Sequence, residues 1–128
     1  MSGVTDLTIL LRSAKPEHNQ GDYVFCNVPD LTGIDMSKVV MMFREKEATT
    51  LIMALDYAES INLQHGSTFS WITLTIHSSL EAVGLTAAFS TALAAANISC
   101  NVVAGYYHDH IFVGSKDLDQ AMTILSNM

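Results

Sequence analysis

His108-Asp109-His110 is the densest run of chemically versatile side chains in this sequence. Two histidines at i and i+2 of a strand share a face, and such a pair can hold Zn²⁺ or another divalent ion. His77 is a candidate further ligand from a neighbouring strand. Spacing alone supplies only the pair His108 and His110, which is too few for a structural or catalytic metal site. The other reading is two imidazoles near a turn, beside a carboxylate that raises their basicity. Nucleophilic chemistry has less support. Ser78 and Thr86 lie near His77, but adjacent residues of a strand point to opposite faces. There is no G-x-S-x-G elbow, G-x-G-x-x-G turn or phosphate-binding loop. Cys26 and Cys100 sit in apolar runs, and their spacing matches no zinc or redox motif. The expectation is a protein with no cofactor and no catalytic activity.

The segment from Ser78 to Leu85 supports binding chemistry. A strand that runs straight into a helix leaves unpaired N–H groups at the helix start. Those donors, with the positive end of the helix dipole, attract a carboxylate. Gly84 lacks a Cβ and lets a ligand approach the backbone. Carbonyls of Asn101 and Val102 on a facing strand can receive an ammonium group, and Asp109 can supply a counter-charge. The candidate lining is therefore Ser78, Ser79, Leu80, Glu81, Ala82, Val83, Gly84 and Leu85, with Asn101, Val102 and Asp109. A competing reading uses the same letters. Ser78-Ser79-Leu80-Glu81 has the S-x-x-E spacing of a capping box, in which Glu81 satisfies the helix start itself. The module is then structural and holds no ligand.

These residues need elements to position them. From Trp71 to His77, Ile72, Leu74 and Ile76 alternate with Trp71, Thr73, Thr75 and His77, the period of a strand with one face on a core. Leu85, Phe89, Leu93 and Ala96 form one stripe of an alanine-rich helix that stops at Asn97. Strands follow at Cys100–Tyr106 and Asp109–Val113, and Ser115 is placed to cap a last helix bearing Leu118, Ala121, Met122 and Leu125. In the first half, Thr5 can cap a short helix ending at Pro16, Glu17–Asp22 reads as a polar loop, and Tyr23–Val28 as a strand. Strands at Lys38–Glu45 and Thr50–Met53 flank a turn, and a helix fits Leu55–Ile61. The halves thus share a hairpin and a closing helix, as expected of a duplicated α+β unit with a boundary near Gly66: residues 1–66 and 67–128.

A chain of 128 residues, 49% apolar, can fill such a core. Its net charge of −7, from 13 acidic and 6 basic side chains, argues against a nucleic-acid partner, which requires clustered Lys and Arg. No apolar run is long enough for a membrane span, and the N-terminus does not have the pattern of a signal peptide, so a cytoplasmic protein is expected. Apolar residues on both faces of Lys38–Arg44 point to a homodimer.

Trp71–Val113 resembles the ACT domain. Glu81-Ala82-Val83-Gly84-Leu85 stands where that family has a polar residue and a glycine before a helix. Asn97-Ile98-Ser99-Cys100-Asn101-Val102 is similar to its second-strand phrase, and Asp109-His110-Ile111-Phe112-Val113 to its closing strand. The whole chain is similar to small stand-alone bacterial proteins with two tandem ACT-like halves, through Cys26-Asn27-Val28-Pro29-Asp30 and Met42-Phe43-Arg44. The resemblance implies a ferredoxin-like α+β fold, a tandem duplication of βαββαβ-type units with antiparallel sheets and helices on one face. It also implies a regulatory protein that binds a small molecule, in that family an amino acid, between ACT units. The first half has no glycine in the matching loop.

Overall fold

The computed structural model describes residues 15–75 and 84–128. The chain forms two compact units, one comprising residues up to Gln20 together with Ser70–Met128, the other Gly21–Phe69. The expected helix after Thr5 lies outside the described residues.

In the unit Gly21–Phe69, strand order is β2-β3-β1. Strand β1 (Pro16–Val28) contributes its second part and pairs antiparallel with β3 (Thr49–Ala54), from Tyr23 opposite Ala54 to Val28 opposite Thr49. Strand β2 (Val39–Arg44) pairs with β3 on its other side, with a bulge between Val39 and Met41. Alternation buries Val24, Cys26 and Val28 against Leu51, Met53 and Ala58. Phe25 lies on the opposite face, edge-on to Phe69 at 5.0 Å between ring centroids. The short helix α1 (Leu55–Ser60) ends at Asn62, whose φ of 57° lets the Asn62 and Leu63 N–H groups bond back to Glu59 O and Ala58 O.

The other unit has strand order β1-β4-β6-β5. Strand β4 (Phe69–Leu74) buries Ser70, Ile72 and Leu74 and half-buries Trp71 and Thr73, as period two requires. Helix α2 (Leu85–Ala95) presents Leu85, Phe89 and Leu93 to the core, one every four residues. Asn97, at φ 61°, closes it in the same way as Asn62 closes α1, with Ile98 N–H bonded to Leu93 O at 3.0 Å. Strands β5 (Asn101–Ala104) and β6 (Asp109–Gly114) form an antiparallel hairpin, and helix α3 (Leu118–Ser126) follows. Ile72, Phe89, Leu93, Ile111, Val113 and Ala121 meet in one core, where each large side chain contributes about 1.5–3 kcal/mol by leaving water.

Three expectations need correction. Glu17–Asp22 is not a loop but part of β1. Its polar residues are tolerated because strand partners satisfy the backbone: Lys15 O accepts Thr75 N–H at 3.0 Å, and the Asn19 side chain reaches Trp71 O. Gly21, at φ 99°, supplies the one conformation in this stretch that a side chain would resist. Ser115 does not cap the last helix. It opens a 3₁₀ turn, Ser115–Asp117, and the helix proper starts at Leu118. Finally, β5 stops at Ala104, because Gly105 N–H turns back to His108 O at 2.9 Å.

Hairpins β2–β3 and β5–β6 share one frame. Arg44 faces Thr49 as Ala104 faces Asp109, and Met42 faces Leu51 as Val102 faces Ile111. The burial sequence along β3 recurs residue for residue along β6.

Candidate functional site

Gly84 is the N-cap of α2, in the left-handed conformation at φ 96° and ψ −17°. This helix therefore begins at Leu85. The first intrahelical bond is Ala88 N–H to Gly84 O, at 2.9 Å. The N–H groups of Leu85, Thr86 and Ala87 precede it, and Gly84 has no side chain to cap them. Leu85 itself is 3% exposed and points into the core, so only its backbone is offered. Ser78, Ser79, Leu80, Glu81, Ala82 and Val83 lie outside the described residues, as does His77.

Asn101 and Val102 lie on β5, at the end of the strand order, and both are exposed. The Asn101 amide donates to Phe112 O at 3.2 Å. Asp109 is not with them. Asn101 faces Phe112 while Asp109 faces Ala104, the two ends of the ladder. At a strand rise of about 3.4 Å per residue, that is roughly 10 Å along the sheet.

On the face of β6 opposite to that of Asp109, His110 is the centre of a hydrogen-bonded cluster. The Trp71 indole N–H donates to His110 Nδ1 at 3.0 Å, and Thr73 Oγ1 lies 3.0 Å from the same nitrogen. Asn19 Nδ2 donates in turn to Thr73 Oγ1 at 2.9 Å. An indole nitrogen can only donate, so Nδ1 must accept and the ring is neutral with its proton on Nε2. Desolvation pushes the His110 pKa below the ordinary histidine value, aided by His108 and opposed by Asp109. Desolvation likewise raises the Asp109 carboxyl, against the pull of His110 and His108. Trp71 also stacks on Phe112 at 6.0 Å. This group was half visible in the sequence: the period of two puts Trp71 and Thr73 on one face, and His110 and Phe112 on another strand share a face as well. What the spacing lacks is which strand lies beside which.

Among the described residues, no three of His, Cys, Asp and Glu are placed to hold a metal ion. The His108 and His110 rings sit edge-on, 6.5 Å apart, and His108 Nδ1 is buried without a hydrogen-bond partner. Both cysteines are free thiols. Burial pushes Cys100 up to about 11, which leaves no thiolate for attack or metal binding at neutral pH. No helix among the described residues is long and apolar enough to cross a membrane.

No relative of curated function matches the chain. Among solved structures, a Vibrio cholerae protein of unknown function, described as a possible transport protein, is 48% identical with a TM-score of 0.85 over 94% of each chain. An Agrobacterium tumefaciens protein matches 89% of this chain and 87% of its own with a TM-score of 0.71 at 18% identity. The ligand-free regulatory subunit of aspartate kinase from Thermus thermophilus matches 88% of this chain and 95% of its own, with a TM-score of 0.62 at 8% identity. At such identities the last two are similar in fold alone. The ACT domain family matches residues 2–70 and again residues 67–127. The chain therefore belongs to the ACT domain family and carries two such domains in tandem, with the α+β fold that the family's regulatory domains share.

Proposed function

We propose that this protein is a non-catalytic regulatory module of the cytoplasm that binds an amino acid or a closely related metabolite and works as a homodimer. The observation that carries the reading is Gly84. Its left-handed backbone delivers the chain into an eleven-residue helix whose first N–H groups it cannot cap, where a ligand carboxylate finds donors and a favourable dipole. Gly84 and Leu85 are assigned to one wall. The carbonyls of Asn101 and Val102 form the other, and they receive the ammonium. Asp109 lies displaced along the ladder, opposite Ala104, and is given no part in the ligand contacts. The solved aspartate kinase regulatory subunit supports a regulatory role by likeness of fold. The bound state is read out by a partner protein or by assembly.

A screen of the common amino acids by thermal shift tests this. A ligand at a hundredfold its Kd adds about 2.7 kcal/mol. Gly84→Val, which cannot hold φ 96° without strain, abolishes the shift. If no amino acid moves the transition, or if Gly84→Val responds like the parent, the assignment is wrong.

One observation favours a second reading, a module for protein interaction alone. Met36, Val40, Met42 and Phe43 are all more than a third exposed, and Phe43 is 63% exposed. Strand β2 lies at the end of the strand order, where its backbone edge is open to pairing.

A further inference from the structure

We propose that the unit Gly21–Phe69 carries its own binding site for a small zwitterion, in a different place from the start of α2. It is an open groove of about 490 Å³ lined by Lys38, Ala54, Asp56, Tyr57 and Ser60, of which Lys38, Asp56 and Ser60 are exposed. This volume falls within the range of about 300–1,000 Å³ usual for small-molecule sites.

The groove is built by a tether. Asp35 caps the 3₁₀ turn Met36–Lys38 by accepting from Ser37 N at 3.1 Å and Ser37 Oγ at 2.6 Å. The Asp35 N–H then donates to the Tyr57 hydroxyl at 2.7 Å, which fastens the turn to α1. That tether sets Lys38 over the aromatic ring, with Nζ 5.2 Å from its centroid. The ring attracts the ammonium but neutralises none of its charge. Among the described residues, no carboxylate lies within ion-pair distance of Lys38, and Asp56 across the groove is likewise without a cation. The Ser37 hydrogen bonds and, after them, the Lys38 charge hold the Asp35 carboxyl below its usual value, so Lys38 is felt by Asp35 without an ion pair, while Asp56 has no such neighbour among the described residues. The Tyr57 hydroxyl accepts from Asp35 and so keeps its own proton to donate. Ser60 Oγ is turned back to Tyr57 O at 2.7 Å.

A cation, an anion, a phenol donor and the methyl of Ala54 on one wall suit one class of ligand: a small amino acid. Its carboxylate sits on Lys38 and the Tyr57 hydroxyl, its ammonium on Asp56, and its side chain on Ala54. The duplicated chain then has two unlike sites. The second unit uses a glycine and a helix start, and the first uses side chains, because its matching loop lacks the glycine.

Two-dimensional amide NMR of the full chain, titrated to millimolar L-alanine, L-leucine and L-glutamate, separates the sites. The expected result is shifts centred on Lys38, Asp56, Tyr57 and Ser60 with at least one amino acid. Affinity falls about tenfold in Lys38→Gln and again in Asp56→Asn, as loss of one charge-assisted bond implies. Gly84→Val leaves these shifts in place. Shifts confined to Gly84–Ala87 and Asn101–Val102 overturn this proposal while sparing the α2 site. A response undiminished in Lys38→Gln, equal shifts with acetate alone, or no shift with any probe overturns it as well.

Discussion

Gly105→Ala offers the sharpest check on the geometry of the second hairpin. A Cβ at Gly105 would lie 2.9 Å from His108 O, 3.1 Å from His110 Nε2 and 3.2 Å from His110 Cδ2. Neither neighbour is free to yield. The carbonyl is backbone, fixed as acceptor of the Gly105 N–H, and the imidazole is pinned by Trp71 and Thr73. Overpacking of this kind costs about 1–3 kcal/mol. Against it stands the smaller entropy of the unfolded chain, worth about 0.4–1 kcal/mol for glycine to alanine. The net expectation is a loss of about 1.3 kcal/mol at the middle of these ranges and a fall in Tm of about 3–7 °C. Gly66→Ala is the matched control. A Cβ there meets nothing within 4 Å, so that variant should equal or exceed the parent by up to about 1 kcal/mol. Urea unfolding measures both, and the Trp71 indole N–H resonance reports whether His110 has moved. If Gly105→Ala matches the parent in stability with an unmoved indole resonance, the packing of His110 on Gly105 has been misread.

Further outcomes are expected. The folded-state pKa of His110 lies below its unfolded value of about 6.5, so the folded chain binds fewer protons there. This contribution to stability is full above about pH 6.5 and is lost as pH falls through the folded value, whereas in His110→Gln the slope disappears; equal slopes in the two proteins, by urea unfolding across that window, would contradict it. Asp109, raised by burial, acts with the opposite sign: its contribution is full below about pH 3.9 and is lost as pH rises through the folded value, so Asp109→Asn should gain stability at neutral pH. Leu93→Ala, at a fully buried position, should cost about 2–5 kcal/mol; a loss under 1 kcal/mol would show that α2 is loosely packed. Phe43→Asp should turn a dimer into a monomer in sedimentation velocity, and a parent that sediments as a monomer at high concentration disproves the role given to β2.

Elements with a regular period were legible from residue types. Ile72 and Leu74 mark β4, Leu85, Phe89 and Leu93 mark α2, and Asn97 marks its stop. Strand β1 was legible only in its apolar part. From Glu17 to Asp22 the side chains are polar, and what makes that stretch a strand is the neighbour whose backbone it completes. The same gap hid the His110 cluster. Asn19, Thr73 and His110 come from three strands, and no local spacing brings them together. Asp109 was read as a counter-charge from its type alone, and its place opposite Ala104 comes only from the pairing register. Lys38 and Asp56 carried no signal in the sequence, because their relation rests on one hydrogen bond between Asp35 and Tyr57.

Strand β1 has a practical consequence for anyone who wishes to dissect this protein. Its first five residues, Pro16–Gln20, belong with Ser70–Met128, and the rest with Gly21–Phe69. A fragment starting after Gly66 therefore lacks the Asn19 amide that steadies Thr73 and Trp71, along with the ribbon that should flank β4. The copied stretch of gene and the piece able to stand alone are different objects. Expression of the second copy should succeed only when a peptide spanning Lys15–Gln20 is restored to it, by fusion or in trans.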